Sequence, residues 1–371
     1  MAGTDPALGR AMPADSGSIA VRLFPWYTRN GRHHLPWRHT DDDYALWLAE
    51  IMLQQTRVET ALDYYRRFLE KFPAWKNLAS ASLDEVLALW SGLGYYARAR
   101  NAHMASKLVI TDWNGLFPDT LESAMLLPGV GRSTAAAVLA SAYGQSQAIL
   151  DANARRVLFR VHGLQGNPRA PAQEKTLWRL AEQETPNPAH DYNQAIQDLG
   201  ALVCLSRRPK CTVCPLMGIC RGSQGTAGKI FPQVSSGPEK QRRPKRYGIF
   251  LLVMDGKGKV FLERRPEQGV WGGLWCLPMI YEEAILPTPE DLAERADLIA
   301  QRFGAVLGAG EILSFRQHVF SHFILEFAIL PAFLPAELQV SDHLSHGRLW
   351  ALGEARDLGL PSPIRRILEG L

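Results

Sequence analysis

Leu127-Pro128-Gly129-Val130-Gly131-Arg132-Ser133-Thr134 is the stretch on which the reading of the fold turns. An apolar run from Leu121 to Leu127 stops at the proline, and an alanine-rich run from Thr134 to Ala142 follows. The segment therefore reads as two helices joined by a glycine turn. Gly129 and Gly131 leave backbone N–H groups free to point outward at the start of the second helix, a place suited to an anion such as a phosphate. The same letters would also serve as a plain interhelical turn.

Outward from this turn the pattern stays helical from Ile19 to about Cys220. Apolar residues recur three and four apart, as at Leu83, Val86, Leu87 and Trp90, and Pro, Gly or Asn punctuate the runs. Residues 1–18 lack periodicity and are rich in Ala, Gly, Pro, Asp and Ser, so a disordered tail is expected there. Between Arg221 and Arg246 the chain turns to Gly, Ser, Pro and Gln and then to a basic run, a linker composition. Beyond it the code changes. Tyr247 to Met254 is β-rich, Asp255 to Gly258 is a hairpin-type turn, and Val260 to Arg264 alternates. A helix is expected over Pro289 to Phe303, strands over Glu311 to Gln317 and Val319 to Leu330, and a closing helix over Pro363 to Leu368. The fold class is thus two domains, an all-α domain over residues 19–225 and a small α+β domain over 246–371, with a linker at 226–245.

The chain has 371 residues, of which 46% are hydrophobic and 21% charged, which excludes disordered, collagen-like and coiled-coil classes. Apolar runs such as Gly248 to Met254 are far short of a bilayer span, and residues 1–18 carry no basic segment followed by an apolar one. A cytoplasmic protein is expected. Lys and Arg number 41 against 37 Asp and Glu, a net charge of +4 that permits a nucleic-acid partner without demanding one.

Four of the five cysteines, Cys204, Cys211, Cys214 and Cys220, crowd into one short segment, with Cys276 alone. Thiolates gathered in one loop can surround a single centre, and soft sulfur selects an iron–sulfur cluster or zinc. Zinc sites usually pair two CxxC motifs, and here only Cys211 and Cys214 form one, which favours iron–sulfur. Arg207, Arg208, Lys210 and Arg221 give the loop a basic surface suited to phosphates.

Two carboxylates stand out. Asp151, in Ile149-Leu-Asp-Ala-Asn153, directly precedes a helical run from Ala154 to Val161, where it can cap the helix and be held in its charged form. Glu50 is the single charge in the apolar helix Tyr44 to Leu53, where burial would favour its neutral acid form and make it a candidate general acid. Alternatively Asp43, Glu50, Gln54 and Arg57, at helical spacing, form one solvated stripe.

Together with Leu35-Pro-Trp-Arg38, Glu50-Ile-Met-Leu-Gln-Gln-Thr56, Gly92-Leu-Gly-Tyr-Tyr-Ala-Arg98 and Phe320-Ser-His322, these motifs resemble the helix-hairpin-helix superfamily of DNA glycosylases, most closely the MutY-type adenine DNA glycosylases. The resemblance spans about residues 19 to 371. It implies base-excision repair of duplex DNA in which adenine lies opposite 8-oxoguanine or guanine. The adenine is flipped out and its N-glycosidic bond is hydrolysed. By the same resemblance Glu50 protonates the adenine ring and then activates water, Asp151 stabilises the cationic sugar, and Asn153 and Ser133 orient them. Ser133 stands where related strand-nicking enzymes carry a Schiff-base lysine, so the activity expected is monofunctional.

Further implications concern binding. Trp37, Arg38, Leu53 and Gln194 match the adenine pocket. Gln55, Thr56, Leu93 and Tyr95 match elements that wedge into the duplex beside the lesion, with Gly129 and Gly131 on the DNA backbone. For Tyr95 an ordinary core aromatic is the competing reading. The four clustered cysteines match the ligands of a [4Fe-4S] cluster, and a monomer is expected. The second domain resembles the family's Nudix-like lesion-reading domain, in which Phe320, Ser321 and His322 approach 8-oxoguanine, although the same residues could be an ordinary strand end. Residues 281 to 303 lack the Arg-Glu-x-x-Glu-Glu cluster that a Nudix hydrolase uses for Mg²⁺, so recognition without pyrophosphatase activity is expected. Competing functions are a thymine/guanine mismatch glycosylase, a catalytically silent iron–sulfur DNA-binding module and a Nudix-type nucleotide hydrolase.

Overall fold

The structure, a computed structural model, describes residues 19–223, 243–283, 306–307, 314–320, 322–333 and 347–371. The expected tail, most of the linker, the helix expected over 289–303 and Ser321 lie outside the described residues. Eleven helices are described before the linker: α1 Ile19–Asn30, α2 Asp43–Leu53, α3 Val58–Lys71, α4 Trp75–Ser80, α5 Leu83–Trp90, α6 Ala97–Asp112, α7 Leu121–Ala124, α8 Arg132–Ala142, α9 Ala152–Val161, α10 Pro171–Glu184 and α11 His190–Leu202. Single turns of 3-10 helix stand at Pro36–Arg38 and Cys211–Val213. The strands are β1 Lys245–Met254, β2 Lys259–Arg264, β3 Trp275–Cys276, β4 Met279–Glu283, β5 Val306–Leu307, β6 Ser314–Val319, β7 Ile324–Phe333 and β8 Gly347–Ala351, followed by α12 Leu352–Arg356 and α13 Ser362–Glu369. Among the described residues no helix is long and apolar enough to cross a membrane.

Local chemistry explains where the helices start. The Asp42 side chain accepts from the N–H groups of Tyr44 and Ala45 at the head of α2, and Ser82 with Glu85 forms a reciprocal capping box on α5. Alanines 135, 136 and 137 on α8 are buried, Ala136 and Ala137 within the core shared with α1, α9 and α11, and α8 also packs against α2.

Contacts divide the chain into two compact units. The first takes described residues 19–58, 74–76 and 104–223. Its core joins Leu23 and Trp26 of α1, Val157 and Phe159 of α9, and Tyr192 and Ile196 of α11. The second takes residues 59–73 and 77–103 together with the described residues from 243 on. Inside it the helical segment is tied to the sheet domain by named bonds: Arg264 pairs with Asp84 at 2.9 Å, Arg100 donates to the Gly272 carbonyl at 2.6 Å, and Ser91 donates to the Leu360 carbonyl at 2.7 Å.

The sheet of the second unit is mixed. β1 runs parallel to β7 over ten paired residues from Lys245↔Ile324 to Met254↔Phe333, while β2, β4 and β6 pair antiparallel with their neighbours. The expected hairpin of Tyr247–Met254 and Val260–Arg264 is present as β1 and β2. One expectation needs correction. Val319 to Leu330 is not a single strand, because β6 ends at Val319 and β7 begins at its partner Ile324, which places Phe320 and His322 in a tight hairpin loop closed by Phe320 N–H to Phe323 O at 2.9 Å.

Candidate active site and cysteine pocket

In the first unit Glu50 sits in the last turns of α2, whose surroundings are apolar. Burial pushes its carboxyl up to about 7, with the charge of Asp151 adding to the rise and Arg38 opposing it. The solvated-stripe alternative does not describe this helix. Asp43 is consumed as a brace, accepting from Trp75 Nε1 at 2.8 Å, the Phe117 N–H at 2.7 Å and the Tyr143 hydroxyl at 2.9 Å. Gln54 donates to the Gly129 carbonyl at 3.2 Å and to Thr134 Oγ1 at 3.4 Å, tying the end of α2 to the glycine turn.

Asp151 caps α9, accepting from the Ala154 N–H at 2.8 Å. Burial raises its carboxyl, while the Ala154 and Asn153 N–H groups and Arg156 and Arg155 work against the rise. Those opposing donors are missing at Glu50. The charge of Asp151 in turn adds to the rise at Glu50. Ser133 Oγ accepts from the Leu150 N–H at 3.0 Å, so it steadies the residue before Asp151. Asn153 Oδ1 accepts from Arg156 at 2.8 Å, and its Cβ lies against Gly200, where any side chain would collide.

The 3-10 turn Pro36–Arg38 packs on α2 and brings in Trp37, which is buried. Arg38 pairs with Asp198 at 2.9 Å and donates to the Tyr27 hydroxyl at 3.3 Å. Gln194 is buried one turn before Asp198 on the same face of α11. Leu53 closes α2, half-buried. Gln55 follows with φ 58° and an exposed side chain, and Thr56 donates to the Gln54 carbonyl at 3.4 Å. Gly129 has φ 78°, which only glycine takes without strain, and a side chain at Gly131 would point into open space. The head of α8 is thus uncapped by any side chain and open in front.

Cys204, Cys211, Cys214 and Cys220 all line one pocket, with Arg160, Val203, Pro209, Lys210 and Met217 around them, and none is in a disulfide. Among the described residues no group of three or more ligating side chains stands close enough for a single metal ion. Burial, against a hydrogen bond with the Leu216 backbone and with help from the neighbouring cysteines, pushes the Cys214 thiol up to about 11. A cationic centre held there would draw these sulfurs into the thiolate form. The loop is carried by α9: Arg160 reaches the Leu205 carbonyl at 2.6 Å and Cys204 Sγ at 3.3 Å, and Arg156 reaches the Cys204 carbonyl at 2.6 Å.

In the second unit Tyr95 is 47% exposed with φ 50°, so the core reading of this aromatic does not hold. Arg98 lies over both the Tyr95 ring at 5.5 Å and the Trp90 ring at 5.3 Å, and it donates to the Gly94 carbonyl at 3.2 Å. Leu93, expected as a contact beside it, is 6% exposed and packs inward as support for the turn. Phe320 stacks on Phe323 at 4.5 Å and touches His318 and Trp271, while His322 is exposed. Burial, then Arg366, lowers the pKa of His318 and so favours its neutral ring.

Sequence reasoning missed Asp198, Arg156, Arg160 and the aromatic bed under Phe320, and it read Gln54 only as part of a solvated stripe. For Asp198 a signal existed: it is a lone acid within the apolar run Ala195 to Leu202, the same pattern that singled out Glu50.

Comparison with known proteins supplies family context. Residues 48–183 match the model of the HhH-GPD superfamily base excision DNA repair protein, and residues 249–370 match that of the NUDIX domain. The chain is 35% identical to the adenine DNA glycosylase of Buchnera aphidicola subsp. Acyrthosiphon pisum over 350 residues, covering 93% of this chain and 95% of the relative. It is 33% identical to the Homo sapiens adenine DNA glycosylase over 379 residues, covering 86% and 67%. Among solved structures, a thermostable thymine-DNA glycosylase matches 54% of this chain and 93% of its own, at 30% identity and a TM-score of 0.50.

Proposed function

The chain belongs to the adenine DNA glycosylase family, whose members are DNA N-glycosylases, and on that premise we propose that it removes adenine mispaired with 8-oxoguanine or guanine without nicking the strand. The observation that carries the reading is the pair Glu50 and Asp151, the first carboxyl pushed up to about 7 by burial and by the charge of the second, and the second held at the head of α9 by the Ala154 N–H at 2.8 Å. Separation of two acids by environment is how a site assigns the roles of proton donor and charge stabiliser.

In this reading the flipped adenine lies among Trp37, Arg38, Leu53 and Gln194. Glu50 delivers its proton to a ring nitrogen as the glycosidic bond breaks, so adenine leaves neutral. The Asp151 carboxylate balances the positive sugar, and the Glu50 carboxylate then takes a proton from the attacking water, which returns the acid for the next cycle. Ser133 steadies the Asp151 segment through Leu150. A hydroxyl there cannot form a Schiff base, which supports hydrolysis alone.

On DNA, the open head of α8 at Gly131 suits a backbone phosphate. Gln55 and Thr56 in the first unit and, separately, the exposed Tyr95 in the second are each proposed as contacts to the opened duplex. Phe320 and His322, with Ser321 between them in sequence, are proposed to read the opposite base. Cys204, Cys211, Cys214 and Cys220 would hold a [4Fe-4S] cluster. When bound it would supply a covalent brace that pins the basic loop of Arg207, Arg208 and Lys210 for phosphate contact.

The test is a single-turnover assay on a duplex with one adenine opposite 8-oxoguanine, quenched with and without alkali. Cleavage only after alkali is expected. Breakage without alkali would mean a lyase, and excision only from thymine opposite guanine would move the protein to the mismatch glycosylases.

A further inference from the structure

Arg38 pairs with one carboxylate, and its charge acts on a second carboxyl, Glu50. Its Nη2 is 2.9 Å from Asp198 Oδ1, and its Nη1 donates to the Tyr27 hydroxyl at 3.3 Å. Its charge also reaches Glu50, where it opposes protonation. The Arg38 side chain is 4% exposed and that of Asp198 0%, so water does little to screen either. A guanidinium in such a place takes whichever carboxylate is offered in better geometry.

Asp198 is built to be that carboxylate. Arg32 donates to Asp198 Oδ2 through its backbone N–H at 2.8 Å and to Oδ1 through Nε at 2.8 Å, so both oxygens are engaged and the acid is held rigidly. Burying a carboxylate this deeply is costly without such partners. The arrangement does more than shape a pocket. If Arg38 turned to Glu50 and paired with it, the carboxyl would remain ionised and have no proton to give.

We propose that Asp198 is a positioning residue that holds the Arg38 guanidinium away from Glu50, and so keeps the general acid free to carry its proton. The inference rests on the reading of Glu50 as the acid of adenine excision. The other charged groups that face this set are Asp151, at the head of α9, and Arg155 and Arg156 behind it. Arg155 is engaged by Glu174 at 3.0 Å, and Arg156 by Asn153 and the Gly200 carbonyl. Asp191 adds a weaker negative charge at Tyr27.

The experiment compares full-length wild type with Asp198→Asn. Two readings are taken: the single-turnover rate against pH, and the carboxyl titration of Glu50 by infrared difference against Glu50→Gln. In Asp198→Asn the Glu50 midpoint is expected to fall by about one pH unit, with about a tenfold loss of rate at neutral pH. The double variant Asp198→Asn with Arg38→Met is expected to bring the midpoint back to the wild-type value or above it. A loss of rate with an unmoved or raised midpoint would show Asp198 to be a structural support only, and the proposal would fall. Should Asp198→Asn not fold, Arg38→Met alone must raise the midpoint, and an unchanged value overturns the proposal. If wild type shows no adenine excision, the glycosylase reading fails on its own account, while the infrared titration still decides where Arg38 acts.

Discussion

The side chain of Asp151 accepts a hydrogen bond from the backbone N–H of Ala154 at 2.8 Å, so the carboxylate whose charge raises Glu50 also closes the first turn of α9. One residue thus serves stability and chemistry, and an isosteric change can separate them. Asparagine caps a helix about as well as aspartate. Asp151→Asn should therefore leave the melting temperature within a few degrees of wild type while lowering the single-turnover rate by at least a hundredfold. A variant that melts much earlier and loses activity in proportion would show that the cap alone explains the residue.

The raised Glu50 carboxyl makes a signed prediction about stability. Its folded value of about 7 lies above the ordinary 4.5, so the folded state binds the extra proton between those values. Stability from this group is greatest below about 4.5, declines as pH rises, and reaches its lowest level above about 7. Glu50→Gln should accordingly stabilise the protein at pH 8, by on the order of 2 kcal/mol, and have little effect at pH 4. The same variant should lose a hundredfold or more in rate, and wild-type rate should fall with rising pH above neutrality. Urea unfolding across pH gives the first result and single-turnover excision the second.

How much of this was legible beforehand depended on whether the signal was local. Asp151 could be read as a cap because an acid directly before an apolar helical run has one common local use, and Glu50 could be read because it breaks an otherwise apolar helix. The hairpin at Phe320 could not be read in that way. Residues 319–324 contain no Gly, Pro or Asn to mark a turn, and their aromatic and branched side chains favour a continuous strand. The break is imposed by the pairing of Val319 with Ile324, a tertiary fact. Asp198 shows a different gap. It carries the same lone-acid signal as Glu50, but its partners Arg32 and Arg38 are about 160 residues away, at separations of 166 and 160, so its use is visible only in the folded chain.

Tyr95 offers a test that separates conformation from contact. Its φ of 50° is unfavourable for any residue with a Cβ, and its ring is nearly half exposed. Tyr95→Gly should therefore be more stable than Tyr95→Ala by about 1 kcal/mol, since only glycine relaxes there. Both should bind the mispaired duplex more weakly, by about fivefold to a hundredfold, from loss of one aromatic stacking surface. Equal stability of the two variants would argue against the left-handed turn, and unchanged affinity in both would remove Tyr95 from the DNA interface.

Arg160 ties the cysteine loop to the helix that begins at Asp151. It is buried and donates to the carbonyls of Leu205 at 2.6 Å and Ser206 at 3.2 Å, as well as to Cys204 Sγ at 3.3 Å. Hydrogen bonds from a cation to sulfur and to the surrounding carbonyls stabilise a thiolate set and fix its geometry. Removing the guanidinium takes the donor from the partly buried carbonyls of Leu205 and Cys204 and so loosens the loop. Arg160→Met, which keeps the volume, should therefore purify with a clearly lower iron content and lose what remains faster under chelation, whereas Arg207→Met on the exposed part of the loop should keep its iron and weaken only duplex binding. Iron and acid-labile sulfide analysis alongside salt-dependent binding distinguishes the two. Full iron occupancy in Arg160→Met would show that the loop holds its shape without α9, and the connection between the two sites would then carry no energetic weight.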